Sequence, residues 1–212
     1  NSALIAPVTI GADAIVAARL HTVIFDLTND WQEECSALSD ASQVQCDSTA
    51  TGALAAEHLL QKGFSHFAFV GQRTNINWSR WRQKAFVSRL QKNDRTCHVY
   101  PGAKPFEQEW EVERVRMTRW LGKLPKPVAI FAANDMRARQ VLDACLRADI
   151  RVPYEAAVLG VDNDPLICET CIPSLSSIRL DVEAAGYVAA ELLDKRMFGG
   201  RDTRRETRIY PP

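Results

Sequence analysis

Short runs of apolar residues alternate with longer amphipathic stretches along most of the chain. The apolar runs lie at residues 3–6, 22–25, 67–70, 128–132 and 157–161. Continuous apolar runs of this length are typical of strands that are buried on both faces of a parallel sheet. The stretches between them predict helices at about 50–62, 78–93, 107–122, 135–148 and 182–196. This alternation predicts an α/β fold in which parallel sheets are flanked by helices.

The ends of two predicted helices carry recognisable signals. Pro125 and Pro127 separate the helix near residue 120 from the apolar run that follows, because proline cannot continue a helix. Asp181 precedes the last helix and can cap its N-terminus. The final segment, 198–212, contains two adjacent glycines, several arginines and a predicted strand at 208–210. It is interpreted as a loop and an edge strand, with a basic nucleic-acid arm as the alternative.

The charge balance argues against direct binding of nucleic acid by this segment. Lysine and arginine together number 26, and so do aspartate and glutamate, so no net field attracts a polyanion. No apolar run approaches the ~20 residues that a membrane-spanning helix needs. The first residues lack the basic charge that precedes the apolar core of a signal peptide. We therefore expect a cytoplasmic protein with no membrane partner.

Six cysteines occur in the chain, and two of them, Cys168 and Cys171, form a C-x-x-C pair. A zinc site would need two further ligands, but the four histidines lie far away in sequence. Reduced, structural cysteines are the favoured interpretation, with a metal or redox role as the alternative. The sequence predicts no metal and no other cofactor.

Polar side chains follow three of the predicted strands, and ligands of open parallel sheets bind beyond the carboxyl ends of strands. Trp78 and Arg82 follow the run at 67–70, Asn134 and Asp135 follow 128–132, and Asp162 follows 157–161. Carboxylates accept hydrogen bonds from neighbouring hydroxyls, and a guanidinium donates them in a fixed fork. An aromatic ring can cover the C–H face of a sugar. This set suits a polyhydroxylated ligand.

The same residues could instead have a purely structural role. Asn134, Asp135 and Asp162 are residue types that cap helices and form turns. The pattern alone leaves binding and capping both open, and one residue can do both.

Catalysis finds little support in the motifs. The sequence contains no G-x-S-x-G elbow, no phosphate-binding loop with its lysine, no G-x-G-x-x-G and no H-E-x-x-H. We predict that the protein is not an enzyme and has no catalytic residues. An enzyme in which two aspartates act as acid and base is the remaining alternative.

Several segments, in order and at similar spacing, resemble the lac/gal repressor family of periplasmic-binding-protein-like effector domains. They include G-F-S-H-F-A-F-V-G at 63–71, A-N-D at 133–135, L-G-V-D-N at 159–163, I-P-S-L-S-S-I at 172–178 and A-G-Y at 185–187. The segment W-S-R-W-R-Q-K-A-F at 78–86 and the residues D-M-R-A-R at 135–139 resemble the xylose operon regulator branch. In that branch, the sensor joins a DNA-binding domain of the arabinose-regulator type.

The resemblance implies two lobes with a small sugar held between them. Matched residue by residue, Arg82, Asn134 and Asp162 fall on effector-contact positions, and Asp135 on a position that carries aspartate in the xylose branch. Trp78 and Asp47 are further carried-over positions. Asn134 stands where the xylose branch is expected to have threonine, so the ligand need not be xylose.

The resemblance also implies an organisation of the chain. Residues 1–72 and about 180–212 would form much of a first lobe, truncated at its N-terminus, with the hinge and closing elements. Residues from about 64 to 180 would form most of the second lobe. We expect a sugar-sensing domain, for a pentose such as xylose, of a dimeric transcription regulator that reaches operator DNA through a domain outside this chain. The alternative is a secreted sugar-binding protein of a transporter.

Overall fold

Strands and helices alternate along the computed structural model, which describes residues 2–5, 18, 20–25, 41–72, 76–102, 110–198 and 206–212. The elements in chain order are β1 (Ser2–Ile5), β2 (His21–Phe25), β3 (Ser42–Cys46), α1 (Ser48–Gln61), β4 (His66–Val70), α2 (Asn77–Gln91), β5 (Cys97–Val99), α3 (Trp110–Gly122), β6 (Val128–Ala132), α4 (Asp135–Arg147), β7 (Ala156–Val161), α5 (Pro165–Cys168), β8 (Ser176–Ile178), α6 (Val182–Met197) and β9 (Glu206–Ile209).

The chain divides into two compact units. Unit 1 comprises Asn1–Asp47 and Asp181–Pro212. Its sheet has the strand order β1-β2-β3-β9, and every pairing is parallel. Helix α6 packs on this sheet, and its buried Ala185, Ala189 and Leu192 meet Val23 and Val44. The Asp181 carboxylate caps α6 by accepting from the Ala184 amide at 3.0 Å, as the sequence predicts.

Unit 2 comprises Ser48–Leu180 and contains a five-stranded parallel sheet in the order β5-β4-β6-β7-β8. Successive residues of β4 alternate between two hydrophobic cores. Ala68 and Val70 face the core that contains α3 and α4, whereas Phe67 and Phe69 face the core that contains α1 and α2. Because both faces are covered, the strand is apolar at each position from Phe67 to Val70, which explains the continuous apolar run in the sequence.

The predicted strands and helices are all present among the described residues, where their ends differ by up to two residues. Ala6 of the first predicted strand lies outside the described part. The helix predicted from 107 is described from Trp110, and residues 107–109 lie outside the described part. In the final segment, Glu206–Ile209 forms β9, a parallel edge strand on β3. Strands β3, β5 and β8 were not predicted, because they lack a continuous apolar run. Helix α5 was not predicted either, because its four residues are too few to show a helical period.

The first crossing between the units lies at Asp47 and Ser48. Helix α1, which begins at Ser48, packs against α2 within unit 2. Gly52 permits this contact: a Cβ atom there would lie 2.3 Å from the Arg82 carbonyl oxygen. The return crossing lies at Leu180 and Asp181. Within the described ranges, no helix is both long and apolar enough to cross a bilayer.

Candidate functional site

Three neighbouring strands of unit 2 end at the same edge of the sheet. Five of the six predicted site residues lie in the segments that follow these strands. Strand β6 lies between β4 and β7, and all three run parallel. Trp78 and Arg82 lie on the helix after β4, Asn134 and Asp135 directly follow β6, and Asp162 directly follows β7. The parallel sheet therefore places these residues at one edge, where ligands of such sheets bind.

The sixth predicted residue, Asp47, lies in unit 1. It directly follows β3 and is buried, and its backbone amide donates to the Ile209 carbonyl oxygen at 2.7 Å. This hydrogen bond continues the pairing of β3 with β9 by one residue.

Arg82 and Trp78 form a pair on one face of α2. They are one helical turn apart, and the guanidinium carbon lies 4.8 Å from the centroid of the Trp78 ring. The Arg82 Nη1 donates to the Ala133 carbonyl oxygen at 2.5 Å, which ties α2 to the end of β6. Arg82 is 5% exposed. The arrangement holds a cation and an aromatic ring together at the carboxyl edge of the sheet.

Asn134 caps helix α4. Its backbone is extended, and its side-chain oxygen accepts from the Arg137 amide at 3.0 Å. The capping interpretation from the sequence is thus confirmed for this residue. The short helix α5 is capped by Asp164 rather than by Asp162, through a bond from the Leu166 amide at 2.9 Å.

Asp135 is fully buried at the first position of α4, and both of its carboxyl oxygens have protein partners. Oδ1 accepts from the Ser177 hydroxyl at 2.6 Å. Oδ2 accepts from the Asp164 amide at 2.8 Å and from the Cys168 thiol at 3.4 Å. Asp135 is predicted from the sequence as a ligand contact, and these hydrogen bonds attach it to the loop that follows β7 and to β8.

That loop carries Asp162 in an unusual backbone conformation. The φ angles of Asp162 and Asn163 are 112° and 54°, in the region that residues other than glycine rarely adopt. The Asp162 amide donates to the Ile178 carbonyl oxygen at 3.0 Å, and the Asn163 amide donates to the Ser177 hydroxyl at 3.0 Å. The side chain of Asp162 is exposed. Such strain persists where surrounding bonds over-determine the backbone, and it is frequent at ligand sites.

A buried ion pair that the sequence analysis missed braces the same edge. Arg137 and Glu113 pair with side chains that are fully buried. The Arg137 Nε also donates to the Gly71 carbonyl oxygen at 2.8 Å, directly after β4, and its guanidinium carbon lies 5.7 Å from the Tyr100 ring centroid. Helices α3 and α4 and the end of β4 are joined through this one side chain. The two partners are 24 residues apart, so no local pattern signals their contact.

Cys168 and Cys171 of the C-x-x-C pair are free thiols, with no disulfide between them. Burial, together with the adjacent Asp135 carboxyl, raises the pKa of the Cys168 thiol to about 12. Burial likewise raises the pKa of Cys171. Since the thiolate is the reactive form of cysteine, a raised pKa favours the protonated thiol at both positions. Among the described residues, no group of three or more His, Cys, Asp or Glu is arranged to hold a metal ion.

A family model supports the resemblance drawn from the motifs. The model of the periplasmic binding protein-like domain matches residues 56–212. The chain belongs to this family. The xylose operon regulatory protein of Haemophilus influenzae is 37% identical over 171 residues, which cover 80% of this chain and 44% of that protein. Its counterpart from Escherichia coli K12 is 33% identical over 140 residues, covering 65% of this chain and 36% of that protein.

Solved structures show the same fold. A xylose-binding transcription activator superposes with a TM-score of 0.77 at 25% identity, over 94% of this chain and 52% of the activator. A transcriptional regulator in complex with cellobiose superposes with a TM-score of 0.76 at 18% identity, over 100% of this chain and 63% of that chain. The predicted family and fold class are therefore confirmed. The chain spans less than half the length of the curated xylose operon regulators that it matches.

Proposed function

We propose that this chain is the sugar-binding effector domain of a transcription regulator. The observation that carries the proposal is the set of groups at the carboxyl edge of the unit 2 sheet. A guanidinium stacked on an indole, an asparagine amide and an exposed aspartate follow three adjacent parallel strands. Together they offer donors, acceptors and an aromatic face, which a polyhydroxylated ligand requires.

The relatives support a regulator over a transporter component. The curated relatives at 33% and 37% identity are xylose operon regulators. We propose a pentose as the first class of ligand to test, with Arg82, Asn134 and Asp162 as sugar contacts. Trp78 would cover the sugar ring, and Asp47 would contribute from unit 1. The proposed role involves no catalysis.

Signalling requires more than tight binding. A ligand shifts an equilibrium between two arrangements only if its affinity for them differs. We propose that units 1 and 2 correspond to the two lobes of the family and that sugar favours their closed arrangement. The bias would reach operator DNA through DNA-binding domains of a cytoplasmic homodimer, which is the symmetric state most common among oligomers.

Calorimetric titration of the protein with D-xylose, L-arabinose, D-ribose, D-glucose and D-galactose tests the proposal. We expect saturable binding of one sugar. Asp162→Ala should weaken that binding by at least about tenfold, equivalent to about 1.4 kcal/mol, because it removes a charged hydrogen-bond acceptor.

The matched control is Asp143→Ala, which removes a carboxylate from an ion pair with Arg147 on the surface of α4. It should leave the sugar affinity unchanged. If a folded wild-type protein binds none of the five sugars, the proposed function is wrong for simple sugars.

A further inference from the structure

Asp135 lies at the centre of a hydrogen-bond network that holds the loop after β7. The network comprises Asp135, Ser177 and Cys168 together with the backbone of residues 162–164. Each of the three consecutive amides in that segment has an acceptor: Ile178 O for Asp162, Ser177 Oγ for Asn163 and Asp135 Oδ2 for Asp164, at 3.0, 3.0 and 2.8 Å. A change in the backbone conformation of residues 162–164 would therefore break at least one of these hydrogen bonds.

Ser177 is the link between the turn and the buried carboxyl. Its hydroxyl accepts from the Asn163 amide and donates to Asp135 Oδ1 at 2.6 Å. A hydroxyl can do both at once because it has one proton and two lone pairs. Neither an alanine nor a purely accepting side chain would complete this relay.

Strand β7 has a glycine, Gly160, where the Asp135 carboxyl packs against the sheet. Gly160 of β7 pairs with Ser177 of β8, and a Cβ atom at Gly160 would lie 2.2 Å from Asp135 Oδ1. The absence of a side chain at residue 160 therefore makes room for the carboxyl beside its serine partner. Cys168 completes the shell, and its raised pKa keeps the thiol protonated as a donor to Oδ2.

The turn needs such support because its backbone is strained. Two consecutive residues other than glycine, Asp162 and Asn163, have positive φ angles. Strained conformations relax unless the surroundings hold them. In this loop, the bonds that hold the backbone come from buried or partly buried groups, whereas the Asp162 side chain is exposed. The network thus determines where an exposed carboxylate is presented.

We propose that Ser177 and Asp135 are positioning residues that hold the 162–164 turn so that Asp162 can contact the sugar. This inference rests on the proposed function for its ligand. It assigns to Asp135 a role behind the contact surface, in place of the direct contact that the sequence suggested. Residues 177 and 135 act on affinity through Asp162 and do not touch the ligand themselves.

The test uses Ser177→Ala, which removes the relay, and Ser177→Thr, which retains a hydroxyl. Ser176→Ala is the matched control, because it makes the same change at the neighbouring exposed position of β8. Amide hydrogen exchange measured by NMR reports on the turn without any sugar. In Ser177→Ala, the Asn163 amide should exchange at least about tenfold faster, while the amides of β6 stay unchanged.

Affinity for D-xylose is the second measurement. Ser177→Ala should raise the Kd by about tenfold, Ser177→Thr should restore it to within about threefold, and Ser176→Ala should leave it unchanged. In the Asp162→Ala background, Ser177→Ala should have no further effect, because the two residues act on the same contact. Additive losses would show that Ser177 acts independently of Asp162.

The two ways of failing are distinguishable. If Asn163 exchange is the same in Ser177→Ala and wild type, the positioning role is wrong, whatever the sugar does. If exchange accelerates but wild-type protein does not bind D-xylose, the turn is held as described and the sugar assignment fails.

Discussion

The buried guanidinium of Arg137 illustrates how much a single residue can join in this protein. Its carboxylate partner, Glu113, is on α3, and its other acceptors are the Gly71 carbonyl oxygen and the Gln140 side chain at 2.6 Å. A buried ion pair is not by itself strong evidence of stabilisation, because desolvation offsets the attraction. Losing one partner is costly, however, since the other charge then remains in the interior.

Replacing Glu113 with glutamine tests this cost with little change of shape. We expect Glu113→Gln to lower the free energy of unfolding by about 3–5 kcal/mol, because the Arg137 charge loses its counter-ion. Urea unfolding followed by circular dichroism measures the effect. Glu111→Gln is the control: it removes a carboxylate from the same helix, but one that is 65% exposed and pairs with a partly buried Arg114. There the change should be below about 1 kcal/mol. Similar losses in both variants would contradict the argument.

At the scale of elements, close packing of α1 on α2 determines where Arg82 stands. Buried Ala55 and Ala56 of α1 and Phe86 and Leu90 of α2 share one core with the aromatic residues of β4 and β6. Gly52 lets the α1 backbone approach the α2 backbone beside the carbonyl group of Arg82. The position of the helix that carries a proposed sugar contact therefore depends on its packing against α1.

We predict that Gly52→Ala destabilises the protein although alanine favours helix. A Cβ atom there would lie 2.3 Å from backbone, so the helices must separate, at a cost of about 1–3 kcal/mol. Gly186→Ala in α6 is the control, because a Cβ atom there meets nothing within 4 Å. That variant should gain about 0.5–1 kcal/mol from helix propensity. Chemical denaturation measures the free energy of unfolding of both variants. A Gly52→Ala variant more stable than wild type would contradict the prediction.

At the scale of the whole molecule, the two units are built from the chain in different ways. Unit 2 is one continuous segment, whereas unit 1 combines residues from both ends of the chain. The pairing of β3 with β9 joins those two ends within one sheet. Unit 1 therefore forms only when segments about 160 residues apart in sequence have met, and such long-range closure carries an entropic cost.

Ligand binding should be visible as a stability change of the entire protein. A sugar that binds only the folded state stabilises it by RT ln(1 + [L]/Kd), about 2.7 kcal/mol at 100 times the Kd. We therefore expect the sugar identified by calorimetry to raise the Tm of the wild-type protein at that concentration. Asp162→Ala at the same sugar concentration should show a smaller rise, because a tenfold weaker Kd reduces the stabilisation to about 1.4 kcal/mol. An equal rise in both proteins would show that the sugar acts away from Asp162.

The sequence alone predicts those strands and helices whose burial gives a regular apolar pattern over neighbouring residues. Strands β4, β6 and β7 are apolar at nearly every position because helices cover both faces of their sheet, and α6 shows the spacing of a helix with one buried face. The carboxyl-edge location of Arg82, Asn134 and Asp162 was also predictable, since parallel strands end at a common edge.

Only the tertiary structure decided which side chains meet across long separations. Strands β3, β5 and β8 have no continuous apolar run and form because a neighbouring strand supplies their hydrogen bonds. Asp135 meets Ser177 and Cys168 across separations of 42 and 33 residues, and Arg137 meets Glu113 across 24. A local pattern records whether a residue is buried, because burial repeats with the period of the helix or strand. It does not record the partner, because the partner is chosen by how distant elements pack.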